Sequence, residues 1–99
     1  MTVYLVARGR IADQAIHDEY VAKALPTIPA SARIVSIDME SEVVEGDPAD
    51  HRTVIIEFEN REAFRAWYDS PAYQEVLPLR LQSVPGALAV VEGYVPPSS

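Results

Sequence analysis

The sequence contains no cysteine and few basic residues. Disulfides, thiol nucleophiles and zinc–thiolate sites are therefore excluded for these 99 residues. Only 8 Lys and Arg stand against 15 Asp and Glu, which gives a formal net charge of −7. Such a chain repels phosphate groups, so we expect neither nucleic acid nor an anionic membrane as a partner. The two histidines, His17 and His51, predict no metal site, because a metal needs more ligands at suitable spacing.

Long apolar runs are also missing. No stretch is long enough to cross a bilayer, and the apolar run near the N-terminus is too short for a signal peptide. We therefore expect a cytoplasmic protein. The hydrophobic fraction of 48% and the charged fraction of 23% are ordinary for a globular chain, so residues 1–95 are predicted as one domain and residues 96–99 as a disordered tail.

Patterning along the chain predicts alternating strands and helices. Asp13 and Asn60 are placed to cap helices, and Ser70 before Pro71 is a stronger start signal for a helix that Pro78 is expected to kink. Apolar residues with β-propensity or strict alternation mark the strands. The predicted strands cover 2–8, 33–44, 51–58 and 87–95, and the predicted helices follow Asp13 as far as Ile28, Asn60 as far as Tyr68, and Ser70 as far as about Ser83.

The order β-α-β-β-α-β predicts an α+β ferredoxin-like sandwich, in which both helices cover one face of a four-stranded antiparallel sheet. The first and last strands are apolar on both faces. Tyr4 and Val6 oppose Leu5 in the first strand, and Ala89 opposes Leu88 in the last. One of the two apolar sets would face water in a monomer, so the pattern predicts a homodimer stacked sheet to sheet.

The chain resembles the family called domain of unknown function 1330, within the dimeric α/β-barrel superfamily. The resemblance implies the same fold and dimer. Superfamily relatives include cofactor-free oxygenases, lactone isomerases, haem-dependent enzymes and plain ligand binders, so fold alone does not fix function. Family members tend to carry glycines before the second strand, where this chain has Pro29–Arg33. The resemblance is carried by Arg52–Phe58, Ala63, Trp67–Gln74 and Pro78–Arg80, with Glu45-Gly46 before them and Val91–Gly93 after them.

Arg80 is the leading candidate for a functional residue. It falls on the apolar stripe of its helix, where a guanidinium needs a partner because a lone buried charge is very costly. A ligand carboxylate or enolate is one such partner. Two structural alternatives are an internal ion pair with Glu57, Glu92 or Asp38, and a side chain that reaches water at the helix edge.

The other candidates are aromatic or basic. Tyr20, Trp67 and Tyr73 are predicted to line a ligand cleft between the sheet and the helices, with buried core as the alternative. Arg52 shares a strand face with apolar residues, but it lies at the strand start, where a charge easily reaches water. His17 is the better candidate for a general base, against the simpler interpretation of a surface histidine.

Two classes of function are compatible with the sequence. The first is a small-molecule-binding homodimer that acts as a cofactor-independent enzyme of isomerase, cyclase or oxygenase type, with His17 and Arg80 as catalytic residues. Tyr20, Arg52, Trp67 and Tyr73 would bind its small anionic or aromatic substrate. The second is a non-catalytic ligand-binding or regulatory dimer. An enclosed pocket with a polar residue of perturbed pKa would favour the enzyme.

Overall fold

The computed structural model describes residues 1–97, so Ser98 and Ser99 of the predicted tail lie outside the described residues. The elements alternate in the predicted order, with two helices between the third and fourth strands. Their bounds are β1 Val3–Gly9, α1 Gln14–Ala24, β2 Arg33–Asp38, β3 Arg52–Phe58, α2 Arg61–Tyr68, α3 Pro71–Ser83 and β4 Gly86–Glu92, with a 3₁₀ turn at Leu25–Thr27.

The four strands form one antiparallel sheet in the order β2-β3-β1-β4. This order, with the helices after β1 and β3, is that of a ferredoxin-like α+β fold and confirms the predicted fold class. In β1 and β3 every second residue is buried, which places all the helices on one face of the sheet. The aromatic core between the layers contains Phe58, Phe64 and Trp67.

The three predicted helix caps are confirmed. The side chains of Asp13, Asn60 and Ser70 each accept a hydrogen bond from a backbone N–H three residues later. Pro71 occupies the first position of α3, where its missing N–H costs nothing. The helix then continues through Pro78 to Ser83 as one element.

β2 corrects two sequence-based expectations. It ends at Asp38 rather than at residue 44, because the Asp38 carboxylate accepts a hydrogen bond from the Glu40 backbone N–H at 2.9 Å and turns the chain. The predicted alternation is also wrong, because the pairing register shifts between Ile34 and Ser36. This β-bulge brings Ile34 and Ile37 to the helix side of the sheet, although their numbers differ by three.

The ends of β1 and β4 also differ from the prediction. The predicted first strand ends at residue 8, but β1 continues to Gly9, which pairs with Gly86 at the end of the β1–β4 ladder. A Cβ at Gly9 would lie 2.6 Å from the carbonyl oxygen of Pro85, so the close approach requires glycine there. β4 ends at Glu92 rather than at residue 95.

The face of the sheet opposite the helices carries apolar side chains without cover in the described chain. Val6 is partly buried among its neighbours, while Ala87, Ala89 and Val91 are exposed. The Cα atoms extend only 16 Å along the shortest axis of the molecule, as expected for one sheet and one helical layer. The homodimer predicted from this two-sided apolar pattern stays a prediction.

Candidate functional site

A cavity of about 90 Å³ lies between the sheet and the helices. Its walls come from β1, β2, β3 and β4 on one side and from α1, α2 and α3 on the other. Three partly exposed apolar residues, Leu25, Ile34 and Ile37, belong to its lining. The remaining lining residues are Leu5, Ala7, Tyr20, Val21, Ala24, Ile28, Met39, Arg52, Val54, Ile56, Trp67, Tyr73, Arg80 and Leu88.

Two arginines are the only charged residues that line this cavity within residues 1–97. Arg52 begins β3 and Arg80 lies in the last turn of α3, and they are 4% and 7% exposed. The expectation that Arg52 reaches water is wrong, because its place in the period-2 pattern turns its side chain inward with Val54 and Ile56. Burial lowers the pKa of Arg52, and the nearby charge of Arg80 lowers it further.

Neither of these arginines forms an ion pair with a carboxylate of the described chain. The internal partners considered for Arg80 bind other groups. Glu57 pairs with Arg33 on the opposite face of the sheet, and Glu92 pairs with Arg61. Asp38 accepts a backbone hydrogen bond in the turn after β2. The internal ion-pair interpretation of Arg80 is therefore wrong, and both buried cations line the cavity without an ion pair to a carboxylate of residues 1–97.

His17 lies against Arg52 and not at the surface. It is 3% exposed, and its Nε2 accepts a hydrogen bond from Arg52 Nε at 3.0 Å. A ring nitrogen that accepts from a guanidinium carries no proton, so His17 is neutral with its proton on Nδ1. Burial lowers the pKa of His17, and the charge of Arg52 acts in the same direction. The surface interpretation of His17 is wrong, but His17 does not line the cavity.

Tyr20 and Tyr73 bind each other through their hydroxyl groups, whose oxygens are 2.9 Å apart. One hydroxyl donates its proton in this bond, so the other keeps a proton that it can offer to a ligand. Tyr73 is fully buried, and burial raises the pKa of its hydroxyl. Both residues line the cavity, so the tyrosine pair supplies an O–H donor beside the arginines.

Trp67 belongs both to the core and to the cavity wall. It is 6% exposed, and its ring centroid lies 4.2 Å from that of Tyr73. Its indole Nε1 donates a hydrogen bond to Thr27 Oγ1 at 2.9 Å, which ties α2 to the turn after α1. Trp67 is thus both a buried core residue and a residue that lines the cavity.

Two buried side-chain polar atoms lack a hydrogen-bond partner in the described part of the chain. They are Nη1 of Arg52 and Nδ1 of His17. Both are donors, because the guanidinium is protonated and the neutral His17 ring carries its proton on Nδ1. A buried donor without a partner costs free energy, so such an atom in a native fold is explained by a water, an ion or a ligand.

Residues 1–97 contain no cluster of three or more His, Asp or Glu side chains arranged to hold a metal ion. None of the helices in that range has the length and apolarity that a bilayer-spanning helix requires.

The structure brings Tyr20, Arg52, Trp67, Tyr73 and Arg80 to one cavity and places His17 against Arg52. Sequence reasoning missed two parts of this arrangement. The hydrogen bond between His17 and Arg52 joins α1 to β3, and no local sequence pattern predicts it. Ile34 lines the cavity together with Ile37 because of the β2 bulge, and bulges have no strong sequence signal.

Solved structures with the same fold are numerous, and their sequence identities to this chain are low. A protein of unknown function from Rhodopseudomonas palustris, RPA0582, is 18% identical with a TM-score of 0.71, over 96% of this chain and 84% of that one. Rv0793 from Mycobacterium tuberculosis is 19% identical with a TM-score of 0.65, over 99% of this chain and 100% of that one.

A third similar structure is SnoaB, a cofactor-independent oxygenase from Streptomyces nogalater. It is 13% identical to this chain with a TM-score of 0.66, over 96% of this chain and 95% of its own. No curated protein matches the sequence. The family profile for "Domain of unknown function (DUF1330)" matches residues 2–94. The chain therefore belongs to the DUF1330 family.

Proposed function

We propose that the protein is a homodimer in which each protomer binds a small anionic or aromatic organic molecule in the cavity between sheet and helices. One observation carries the proposal. Arg52 and Arg80 line an otherwise apolar cavity with no carboxylate of residues 1–97 paired to them. Ligand sites typically combine apolar walls with a few convergent polar groups.

A purely structural role explains the arginine pair poorly. Two like charges that share a buried site repel each other and lose their hydration, so their burial destabilises the folded chain. A hydrophobic residue at either position would avoid this cost. A bound ligand that faces both guanidinium groups offsets it.

Binding is the function that the geometry supports best, and catalysis is the second candidate. The spare O–H of the Tyr20–Tyr73 pair favours catalysis, because a neutral hydroxyl can donate a hydrogen bond to a developing oxyanion. No cofactor is required for such a step, and SnoaB shows that this fold can support cofactor-independent chemistry. In this proposal His17 positions Arg52 and does not act as a base, because the lone pair of His17 Nε2 already accepts a hydrogen bond from Arg52.

The open sheet face supports the homodimer. Its apolar side chains would be covered by the same face of a second copy. Ala87, Ala89 and Val91 are exposed on that face, and Val91 is 44% exposed.

The experiment is a binding screen on the full chain. Small carboxylic acids, phenols and neutral aromatic compounds are titrated while protein NMR shifts are recorded. We expect saturable shifts at Trp67 and at the cavity-lining residues of α1. Leu88→Phe should block binding by filling the cavity, while Leu81→Phe, at a position 65% exposed and outside the cavity, should not. If no compound of any class binds the wild type, the proposed function fails.

A further inference from the structure

The cavity presents hydrogen-bond donors almost exclusively. Two guanidinium groups are donors only, and the tyrosine pair has one spare O–H. The single basic nitrogen nearby, His17 Nε2, is occupied by Arg52. No Asp or Glu lines the cavity in the part of the chain that the structure describes.

We propose, on the basis of the function proposed above, that the ligand is a small organic monocarboxylate whose carboxylate is held between Arg52 and Arg80. A carboxylate offers two oxygens with about four acceptor positions and no donor, which complements a site composed of donors. The unpartnered Nη1 of Arg52 then donates to one oxygen. The planar guanidinium fork matches the planar carboxylate in a bidentate arrangement.

The apolar residues that line the cavity limit the charge that a ligand can carry. Beyond the arginine and tyrosine side chains, the lining residues are apolar. A second carboxylate on the ligand would therefore meet hydrocarbon, where an unpaired ion is very costly. An inorganic phosphate would leave this apolar volume empty, and the desolvation cost of a dianion is larger because it grows with the square of the charge. A ligand with one negative charge and a hydrocarbon body complements both the arginines and the apolar walls of the cavity.

The size of the ligand follows from the volume. The cavity holds about 90 Å³, and an engineered protein cavity of about 150 Å³ accommodates benzene. A short aliphatic acid therefore fits better than a substituted aromatic acid. The apolar lining residues at Leu25 and Ile37 are partly exposed, so a longer tail would extend toward solvent past them.

The test compares matched ligands by isothermal titration calorimetry on the full chain at constant ionic strength. Butanoate is the probe, butanamide is its neutral isostere, and succinate, inorganic phosphate and benzene complete the set. We expect butanoate to bind at least about tenfold more tightly than butanamide, since loss of a charged hydrogen bond typically has that effect or a larger one. Succinate and phosphate should bind more weakly than butanoate.

Two variants distinguish the loss of an arginine in the cavity from the loss of one positive charge elsewhere in the protein. Arg80→Met should weaken butanoate binding about tenfold or more, so that the affinity for butanoate approaches that for butanamide. Arg61→Met removes the same charge from an exposed ion pair between α2 and β4, so it should leave the affinities for butanoate and butanamide unchanged. Arg80→Gln serves as a second variant if the methionine variant does not fold, and the comparison of acid with amide needs no variant.

Each alternative result has a defined meaning. Equal affinity for butanoate and butanamide overturns the carboxylate proposal while the small-molecule function stands. Tighter binding of succinate or phosphate overturns the single-charge proposal. If neither butanoate nor benzene nor any other probe binds, both this inference and the proposed function fail.

Discussion

Arg52 Nε donates a hydrogen bond to His17 Nε2 across 3.0 Å, and both side chains are buried. This is a contact between two groups that are each cationic when protonated. It exists only while His17 is neutral, because a protonated imidazole has no lone pair to accept the bond. Protonation of His17 therefore both breaks the hydrogen bond and places a third positive charge beside Arg52 and Arg80.

The stability of the fold should therefore decrease as pH falls through about 6.5. Burial, reinforced by the charge of Arg52, lowers the pKa of folded His17 below its ordinary value of 6.5. The unfolded chain takes up a proton near that ordinary value, so below it the unfolded state binds more protons and the free energy of unfolding falls. The decrease stops once the pH passes the lowered pKa of the folded histidine. Urea denaturation between pH 8 and pH 5 measures it.

Two variants identify His17 as the source of this pH dependence. His17→Gln keeps an oxygen that can accept from Arg52 but cannot be protonated, so its stability should depend less on pH in this window. His51 is partly exposed just before β3 and donates a hydrogen bond from Nδ1 to the Met39 carbonyl, and His51→Gln should retain the wild-type pH dependence. An unchanged slope in His17→Gln would contradict the assignment.

The ligand-free protein should become more stable when Arg80 is replaced by methionine. Methionine fills much of the same apolar space and removes a buried charge that has no carboxylate partner in residues 1–97. We expect a gain on the order of 1 kcal/mol in the free energy of unfolding, measured by urea denaturation. Destabilisation by a similar amount would show that Arg80 makes a structural interaction that the fold needs.

The fold could be predicted from the sequence because its signals are local. Caps at Asp13, Asn60 and Ser70 and the period-2 pattern of 51–58 each involve neighbouring residues. β2 could not be placed fully, because its bulge depends on how Ile34 and Ser36 pair with β3. Strand register is a tertiary property, and a single extra residue changes which face a side chain occupies.

The candidate site could be predicted in part. Arg80 is recognisable as a candidate because a charge on the apolar stripe of a helix contradicts the helical pattern, and that signal is local. Arg52 carried the same signal at the start of β3, but the strand end made exposure the simpler interpretation. Their nearness to each other and to His17 depends on the packing of α1 and α3 over the sheet, which no local pattern specifies.

Ser70→Ala should destabilise the protein by about 1 kcal/mol, the usual effect of removing a helix N-cap. The Ser70 hydroxyl accepts from the Tyr73 N–H at 3.2 Å and donates to the Trp67 carbonyl at 2.7 Å, so it also joins α2 to α3. Ser70→Asp restores the acceptor and should recover part of the lost stability. Thermal denaturation of both variants checks this, and a melting temperature equal to that of the wild type in Ser70→Ala would contradict it.

Trp67→Ala should cost roughly 3–5 kcal/mol, because Trp67 packs against Phe58, Phe64 and Tyr73 in the core. The indole hydrogen bond contributes separately. Thr27→Val leaves the ring in place but removes the acceptor for Trp67 Nε1, so we expect a smaller loss of about 1–3 kcal/mol. Equal losses in the two variants, measured by urea denaturation, would show that packing of the ring contributes little.

The proposed homodimer should dissociate when a charge is placed on the open sheet face. Val6 lies in β1, the strand between β3 and β4, and it pairs with Ile55 and Ala89 on that face. In Val6→Asp, a carboxylate would be buried in the proposed interface without a partner, which is very costly. Light scattering at micromolar concentration should give twice the chain mass for the wild type and the single-chain mass for Val6→Asp.

The control for this experiment is Leu81→Asp. Leu81 is 65% exposed on α3, in the helical layer rather than on the open face, so the same chemical change should leave the dimer mass unaltered. Val6→Asp should also unfold at a lower urea concentration, because an interface of ~1,200–2,000 Å² contributes much of the buried surface of so small a chain. A wild-type protein that has the mass of one chain at this concentration would contradict the homodimer, and dissociation of Leu81→Asp instead of Val6→Asp would place the interface on the helices.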